Sequence, residues 1–166
     1  MNSAKTKIKD ISNIELYLRR IAYQIYENNE DKELIIVGIE KNGKLLANKI
    51  FEILKSISNF KLTLITLKIN KKHPTKKIKS SIDKEICLNK TIVVVDDVLN
   101  TGSTLIYAVK YFLNIPVKKI QTAVIINRNH KKFPIKADFK GISLSTTLKE
   151  HVDVVLEGSK KGIYLS

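Results

Sequence analysis

Residues 91–113, TIVVVDDVLNTGSTLIYAVKYFL, restrict the fold more than any other stretch of the chain. Thr91-Ile92-Val93-Val94-Val95 is a β-branched run, too short for a helix and suited to a buried strand. Two adjacent carboxylates follow, Asp96-Asp97, then Val98-Leu99-Asn100 and the small polar turn Thr101-Gly102-Ser103-Thr104. Leu105, Ala108, Val109 and Phe112 then recur at helical spacing. A turn of this kind aims backbone N–H groups from the positive end of a helix, which holds a phosphate without lysine. The acids sit at the carboxyl end of a strand, where open α/β sheets place their ligands. A ribose 5-phosphate, with phosphate on one side and sugar hydroxyls on the other, meets both groups. The plainer alternative is a strand ending in two solvated aspartates before an ordinary N-capped helix. A nucleoside triphosphate site is disfavoured, because the chain has no G-x-x-x-x-G-K-[ST] loop.

The rest of the chain alternates helix and strand around this unit. Residues 1–10 are polar and expected to fray. Ser12-Asn13-Ile14-Glu15 has the capping-box pattern, and Ile14, Leu18, Ile21 and Ile25 mark one face of a helix ending near Asn28-Asn29. Leu34-Ile35-Ile36-Val37-Gly38-Ile39 reads as a buried strand. Glu40-Lys41-Asn42-Gly43 follows it, then a helix with Leu45, Leu46, Ile50, Ile53, Leu54 and Ile57 on its apolar face. Lys61 to Leu67 reads as a strand. Residues 70–85 hold six lysines and one proline with almost no apolar periodicity, so a functional or mobile loop is expected. Ile120 to Ile126 is a further strand, 127–141 a second irregular stretch, and Val152 to Leu156 with Ile163 to Leu165 are closing strands around Glu157-Gly158. This order predicts a single α/β domain, mainly a parallel sheet flanked by helices, with antiparallel strands at the edge. Segments 40–43, 96–104 and 127–141 all follow strands and converge on one edge of the sheet.

At 166 residues the chain fits one domain. Its single cysteine, Cys87, excludes an internal disulfide and suits a reducing cytoplasm, and no stretch approaches membrane-spanning length. A net charge of +14 invites a polyanionic partner such as RNA. Twenty-seven of the thirty basic residues are lysines, however, and only Arg19, Arg20 and Arg128 carry the guanidinium fork that suits phosphate and guanine. Lysine used as generic surface charge is the competing explanation, and the scarcity of arginine favours it.

Asp96-Asp97-x-x-x-Thr101-Gly102-x-Thr104 after an apolar strand resembles the phosphoribosyl-pyrophosphate (PRPP) motif of type I phosphoribosyltransferases. Over nearly its whole length the chain resembles the PyrR-like group, the pyrimidine-operon attenuator/uracil phosphoribosyltransferases. The resemblance rests on Arg19-Arg20-Ile21-Ala22, Val37-Gly38-Ile39 and Gly43, then on Val94 to Thr104. It extends to Arg128-x-His130-x-x-x-Pro134-Ile135-x-Ala137-Asp138-Phe139-x-Gly141. The departures are equally specific. Lys41-Asn42-Gly43 replaces a Thr-Arg-Gly pyrophosphate loop, and Ser103 stands for the usual arginine. Asn100 replaces an aromatic, Lys71-Lys72-His73-Pro74 replaces an acidic loop pattern, and Lys140 replaces an apolar residue.

The resemblance implies transfer of ribose 5-phosphate from PRPP to a nucleobase, most readily a pyrimidine such as uracil, with release of pyrophosphate. Asp96 and Asp97 would accept the ribose hydroxyls and support an oxocarbenium-like transition state. Residues 98–104 (Val98, Leu99, Asn100, Thr101, Gly102, Ser103 and Thr104) would complete the PRPP site. Glu40, Lys41, Asn42 and Gly43 would form the pyrophosphate loop. Lys71, Lys72 and His73 would close over pyrophosphate, the alternative being solvated charge. Magnesium would come mainly with PRPP and meet the acids through water. Arg128, Asp138, Phe139 and Lys140 would surround the base, with Phe139 either stacking on it or plugging the core. Asparagine at 100, where 6-oxopurine enzymes of this class carry an aspartate, disfavours hypoxanthine and guanine. The family also implies a homodimer. The competing functions are an RNA-binding attenuator that senses nucleotides, with catalysis residual or lost, and a PRPP-binding protein with neither activity.

Overall fold

Pairing begins earlier in the chain than its polar first residues suggest. The structure, a computed structural model, describes residues 5–128 and 130–166. Of the stretch expected to fray, residues 1–4 lie outside the described residues, while strand β1 (Thr6–Asp10) pairs antiparallel with β9 (Gly162–Leu165). Helix α1 (Ile11–Glu27) starts directly behind it, so the N-cap is Asp10 rather than Ser12, and the Asn13 side chain accepts the Asp10 N–H at 3.1 Å. Ile14, Leu18, Ile21 and Ile25 form its buried face, as their spacing requires.

The main sheet follows from apolar runs buried on both faces. Strands β2 (Glu33–Ile39), β3 (Lys61–Lys68), β5 (Thr91–Leu99), β6 (Lys119–Arg128) and β7 (Phe139–Leu144) are parallel, and β4 (Lys79–Ser80) adds an antiparallel edge; the order is β4-β3-β2-β5-β6-β7. Helix α2 (Asn42–Ile57) connects β2 to β3, and α3 (Ser103–Phe112) connects β5 to β6. Strand order reverses between β2 and β5, the switch point at which such sheets bind ligands. One face of the sheet packs on α1 and α2, the other on α3 and Cys87. Burial pushes the Cys87 thiol up to about 11, which makes it an inert core group.

Three stretches differ from expectation. Residues 70–85 are not wholly irregular, since β4 and the start of a short 3₁₀ turn (Lys84–Cys87) lie within them. Residues 127–141 begin and end inside strands, because β6 runs on to Arg128 and β7 starts at Phe139. The closing strands β8 (Val152–Val155) and β9 do not join the main sheet. With β1 they form a separate antiparallel sheet in the order β1-β9-β8, whose Val152, Val154 and Ile163 enter the core beside α1 and α2.

That small sheet therefore belongs to the same core as the large one. Ile163 is fully buried. Ile163→Ala should cost about 2–5 kcal/mol by loss of packing. Urea unfolding followed by circular dichroism and tyrosine fluorescence should give one coincident transition at a lower midpoint. Two separated transitions would show that the small sheet unfolds independently.

Candidate active site

The acid pair lies where the sheet loses one neighbour. Pairing of β5 with β2 ends at Gly38–Val95, while pairing with β6 continues from Asp96–Val124 to Leu99–Asn127. Asp96 and Asp97 are thus held in a strand on one side and open on the other. The start of α2 and the turn after β3 fill that opening. A Cβ on Gly43 would lie 2.6 Å from the Val95 carbonyl oxygen, so only glycine lets α2 come this close to the acids.

Alternation along the strand sends the two carboxylates into different surroundings. Asp97 Oδ2 accepts the Asn42 amide at 2.8 Å, and the same Nδ2 donates to the Val154 carbonyl at 2.8 Å. Asp96 is 2% exposed. Lys71 Nζ reaches both, at 3.0 Å from Asp96 Oδ1 and 3.4 Å from Asp97 Oδ1. Burial, then the neighbouring Asp97 charge, push the Asp96 carboxyl up to about 7. Burial works in the same direction on Asp97. The Lys71 charge and the hydrogen bonds from Asn42 and the Val98 N–H outweigh it and hold that carboxyl below its ordinary value. Burial also opposes charge on Lys71, but the two carboxylates prevail and raise it.

Three cavities meet at this pair. A cup of about 50 Å³ lies between Asp96 and residues 98–105. Its floor is the first turn of α3, whose leading amides have no intrahelical acceptor. Gly102, the N-cap, has φ 85°, and Ile135 Cγ2 would meet a Cβ there at 2.6 Å. The Thr101 carbonyl accepts the Lys132 and Phe133 amides, so residues 130–137 brace the cup. A second cavity, about 480 Å³, is basic and open, bounded by Lys41, Asn42, Lys68, Lys71, Lys72 and Asp97. A third, about 340 Å³, runs from Asp97 and Asn100 to Arg128 and the strand Val152-Asp153-Val154.

The structure therefore gathers Asp96, Asp97, Asn100, Thr101, Gly102, Ser103 and Thr104 with Lys41, Asn42, Gly43 and Lys71. Val98 and Leu99 lend backbone to the cup while their side chains pack in the core. Glu40 also lines the basic cavity, its amide donating to the Leu67 carbonyl, as does Lys72, which is exposed at the rim with His73. The base-side residues need correction. Phe139 is 4% exposed inside the core and offers no face for stacking. Asp138 accepts the Thr122 amide and hydroxyl, which ties β7 to β6. Lys140 lies on the edge strand away from all three cavities, its carbonyl accepting from Arg20. Arg128 does line the third cavity, but its guanidinium donates to Thr146 Oγ1 at 2.9 Å and to the Thr147 and Glu150 carbonyls. It holds the loop leading to β8. The wall that the sequence reading missed is His151 to Val154, where Asp153 pairs with Lys5 at 2.6 Å and with His151 at 3.2 Å. The lone carboxylate in an otherwise apolar run was its only signal.

No group of three or more His, Cys, Asp or Glu side chains suited to a metal occurs among the described residues. Asp96 and Asp97 could hold a magnesium ion that arrives on phosphate oxygens, meeting it mainly through water. Nor, among them, is any helix long and apolar enough to cross a membrane.

Comparison with known proteins gives the same family from two directions. The family model described as phosphoribosyl transferase domain matches residues 4–157. The bifunctional protein PyrR of Caldicellulosiruptor bescii is 38% identical over 162 residues, covering 91% of this chain and 88% of that protein. That of Ligilactobacillus salivarius is 33% identical, covering 96% and 97%. Among solved structures, a Bacillus anthracis hypoxanthine-guanine phosphoribosyltransferase superposes with a TM-score of 0.73 at 17% identity, over 90% of this chain and 88% of that one. A Staphylococcus aureus hypoxanthine phosphoribosyltransferase gives 0.73 at 19% identity, over 89% and 85%. At such identity these two structures speak to fold alone.

The acid pair should shape the pH dependence of stability. Asp96 is raised from 3.8 to about 7, so its contribution is full below 3.8 and is lost as pH rises through 7. Asp97 is lowered, so its contribution is present above 3.8 and is lost only in stronger acid. Lys71, raised above 10.5, acts only in alkali. The carboxyls of Asp31, Glu33, Asp97 and Glu150, all held low, add stability as pH rises through their ordinary range. The Asp96 effect therefore dominates only above about pH 5, and from there to pH 7 Tm of the ligand-free protein should fall by about 5 °C. Asp96→Asn should flatten that slope in scanning calorimetry.

Proposed function

The chain belongs to the phosphoribosyl transferase domain family, and we propose that it transfers ribose 5-phosphate from PRPP to a pyrimidine base such as uracil, releasing pyrophosphate. The observation that carries this is the placement of Asp96 and Asp97 between a phosphate-sized cup, a basic cavity and a third cavity walled by β8. Those three spaces suit the 5-phosphate, the pyrophosphate and the base. Asp96 and Asp97 accept hydrogen bonds from the ribose hydroxyls and oppose the positive charge that grows on the ring as pyrophosphate leaves. Lys41, Lys71 and Lys72 neutralise the negative charge that grows on the leaving group. Residues 70–85 close over it as it forms. Magnesium, when bound, screens the pyrophosphate oxygens. Asn42 keeps Asp97 in register with the base wall by bonding both.

Asn100 lines both the cup and the base cavity, beside the position of the base. Its amide cannot exchange a proton with a purine ring nitrogen, which supports a pyrimidine. The protein works as a homodimer in the cytoplasm on this reading.

The relatives' shared name, bifunctional, together with the +14 charge, carries a second reading: the same fold binds an RNA hairpin and senses the nucleotide in the pocket. Arg20 is of little use to it, since its guanidinium is committed to the Lys140 and Gly141 carbonyls and the Tyr17 ring.

Two measurements test these readings. PRPP with magnesium at about a hundred times its dissociation constant should stabilise the protein by about 2.7 kcal/mol. Asp97→Asn should abolish most of that gain and lower uracil-dependent pyrophosphate release by about 10²–10³-fold. Release with hypoxanthine or guanine that exceeds release with uracil would overturn the choice of base. For RNA, binding to a hairpin should weaken by about 0.7–0.9 log units per tenfold salt for each phosphate neutralised. It should also change when uridine monophosphate fills the pocket. Weak binding indifferent to nucleotide would leave the surface charge without an RNA role.

A further inference from the structure

The resting state of the acid pair contains a cation already. Lys71 Nζ lies within 3.4 Å of Oδ1 of both Asp96 and Asp97, and no other lysine or arginine among the described residues forms an ion pair with either carboxylate. The ammonium is not a drifting surface charge that has fallen into contact. Ile69 is buried in the core two residues earlier and anchors the end of the segment. Asn70 Oδ1 then accepts the Lys72 and His73 amides, both at 3.0 Å, and the Asn70 carbonyl accepts the His73 amide at 3.1 Å. This Asx turn is local chemistry that sets the direction of residue 71. Lys71 consequently emerges toward the gap beside β5 that the end of β2 leaves open. Its side chain is 44% exposed as a whole, and its charged end lies within hydrogen-bond reach of both carboxylates.

We propose that Lys71 is the resident counter-cation of Asp96 and Asp97, and that it keeps free divalent metal off the pair until PRPP draws the lysine away. A divalent ion bonds carboxylate oxygens at about 2.0–2.6 Å. An ion bridging Asp96 Oδ1 and Asp97 Oδ1 from the same side would fall inside van der Waals contact of the ammonium. Like charge compounds the steric conflict. Lys71 also borders the basic cavity assigned above to pyrophosphate, so one side chain reaches both places. An arriving diphosphate exchanges the lysine's carboxylate partners for phosphate oxygens, and the pair is then free for the ribose hydroxyls and the accompanying metal. This orders the binding steps: metal enters with PRPP and not before it. The inference rests on the PRPP reading for what displaces the lysine, but the exclusion of metal is a property of the unliganded protein and is measured without PRPP.

The test uses Mn²⁺ as a paramagnetic probe, with free ion counted by electron paramagnetic resonance. Without PRPP, the wild-type protein should leave Mn²⁺ free, whereas Lys71→Met and the neutral, polar Lys71→Gln should bind one ion at least tenfold more tightly. Lys71→Arg should retain exclusion, and Lys72→Met, which removes a neighbouring charge that does not touch the acids, should behave as wild type. Adding Asp97→Asn to Lys71→Met should lose the gained ion, which assigns it to the pair. Equal Mn²⁺ binding by wild type and both neutral variants, whether strong or absent, would overturn the proposal. So would a gain in Lys72→Met as large as in Lys71→Met, since the effect would then be one of general charge. A separate arm adds PRPP and reads the melting temperature. Failure of PRPP to stabilise any of these proteins would count against the phosphoribosyl reading and would leave the metal result to decide the role of Lys71.

Discussion

Two carboxylates on consecutive residues of a buried strand are costly, and much of this structure is arranged around that cost. Alternation on the strand separates them, Asp96 toward the α3 turn and Asp97 toward Asn42 and β8. The early end of β2–β5 pairing then removes backbone from one side and admits a lysine between them. With desolvation dominating at Asp96, and the Lys71 charge together with hydrogen bonds prevailing at Asp97, the pair is poised with unequal proton affinity. Such asymmetry suits a site that must change its charge partners when a ligand arrives.

The supports of the site come from distant parts of the chain. The small cup beside Asp96 is braced by residues 130–137 through the Thr101 carbonyl and the contact of Ile135 with Gly102. Phe133 meets Tyr107 of α3 edge-on and fixes that brace to the helix. The wall at 151–154 depends on the small sheet, and so on β1 and β9 from opposite ends of the chain. Lys5 reaches Asp153 across the whole sequence. The superposition on two purine phosphoribosyltransferases at 17% and 19% identity shows the fold persisting while most of the sequence differs.

What was legible locally came out as read. The β-branched run, the acid pair, the glycine turn and the helix behind it are contiguous, and their physics needs no distant partner. The same holds for α1, whose apolar face is a matter of spacing. Errors arose where long-range pairing overruled composition. The polar strand Thr6–Asp10 looks disordered until β9 supplies its hydrogen bonds, and Phe139 looks available until β7 carries it into the core. Arg128 does line the third cavity, but the sequence could not show that its guanidinium also holds the carbonyls of 147 and 150.

By itself the sequence determined the α/β class, the central strand with its acids and the glycine turn behind them, because each is set by neighbours within about a dozen residues. Only the tertiary structure decided which side chains face the ligand from other elements. Asn42 between Asp97 and Val154, Lys71 between the two aspartates, and the wall at 151–154 all depend on where β2 stops and on which strand β8 pairs with. Those outcomes are settled by competition among backbone partners far apart in the chain, which no local pattern encodes.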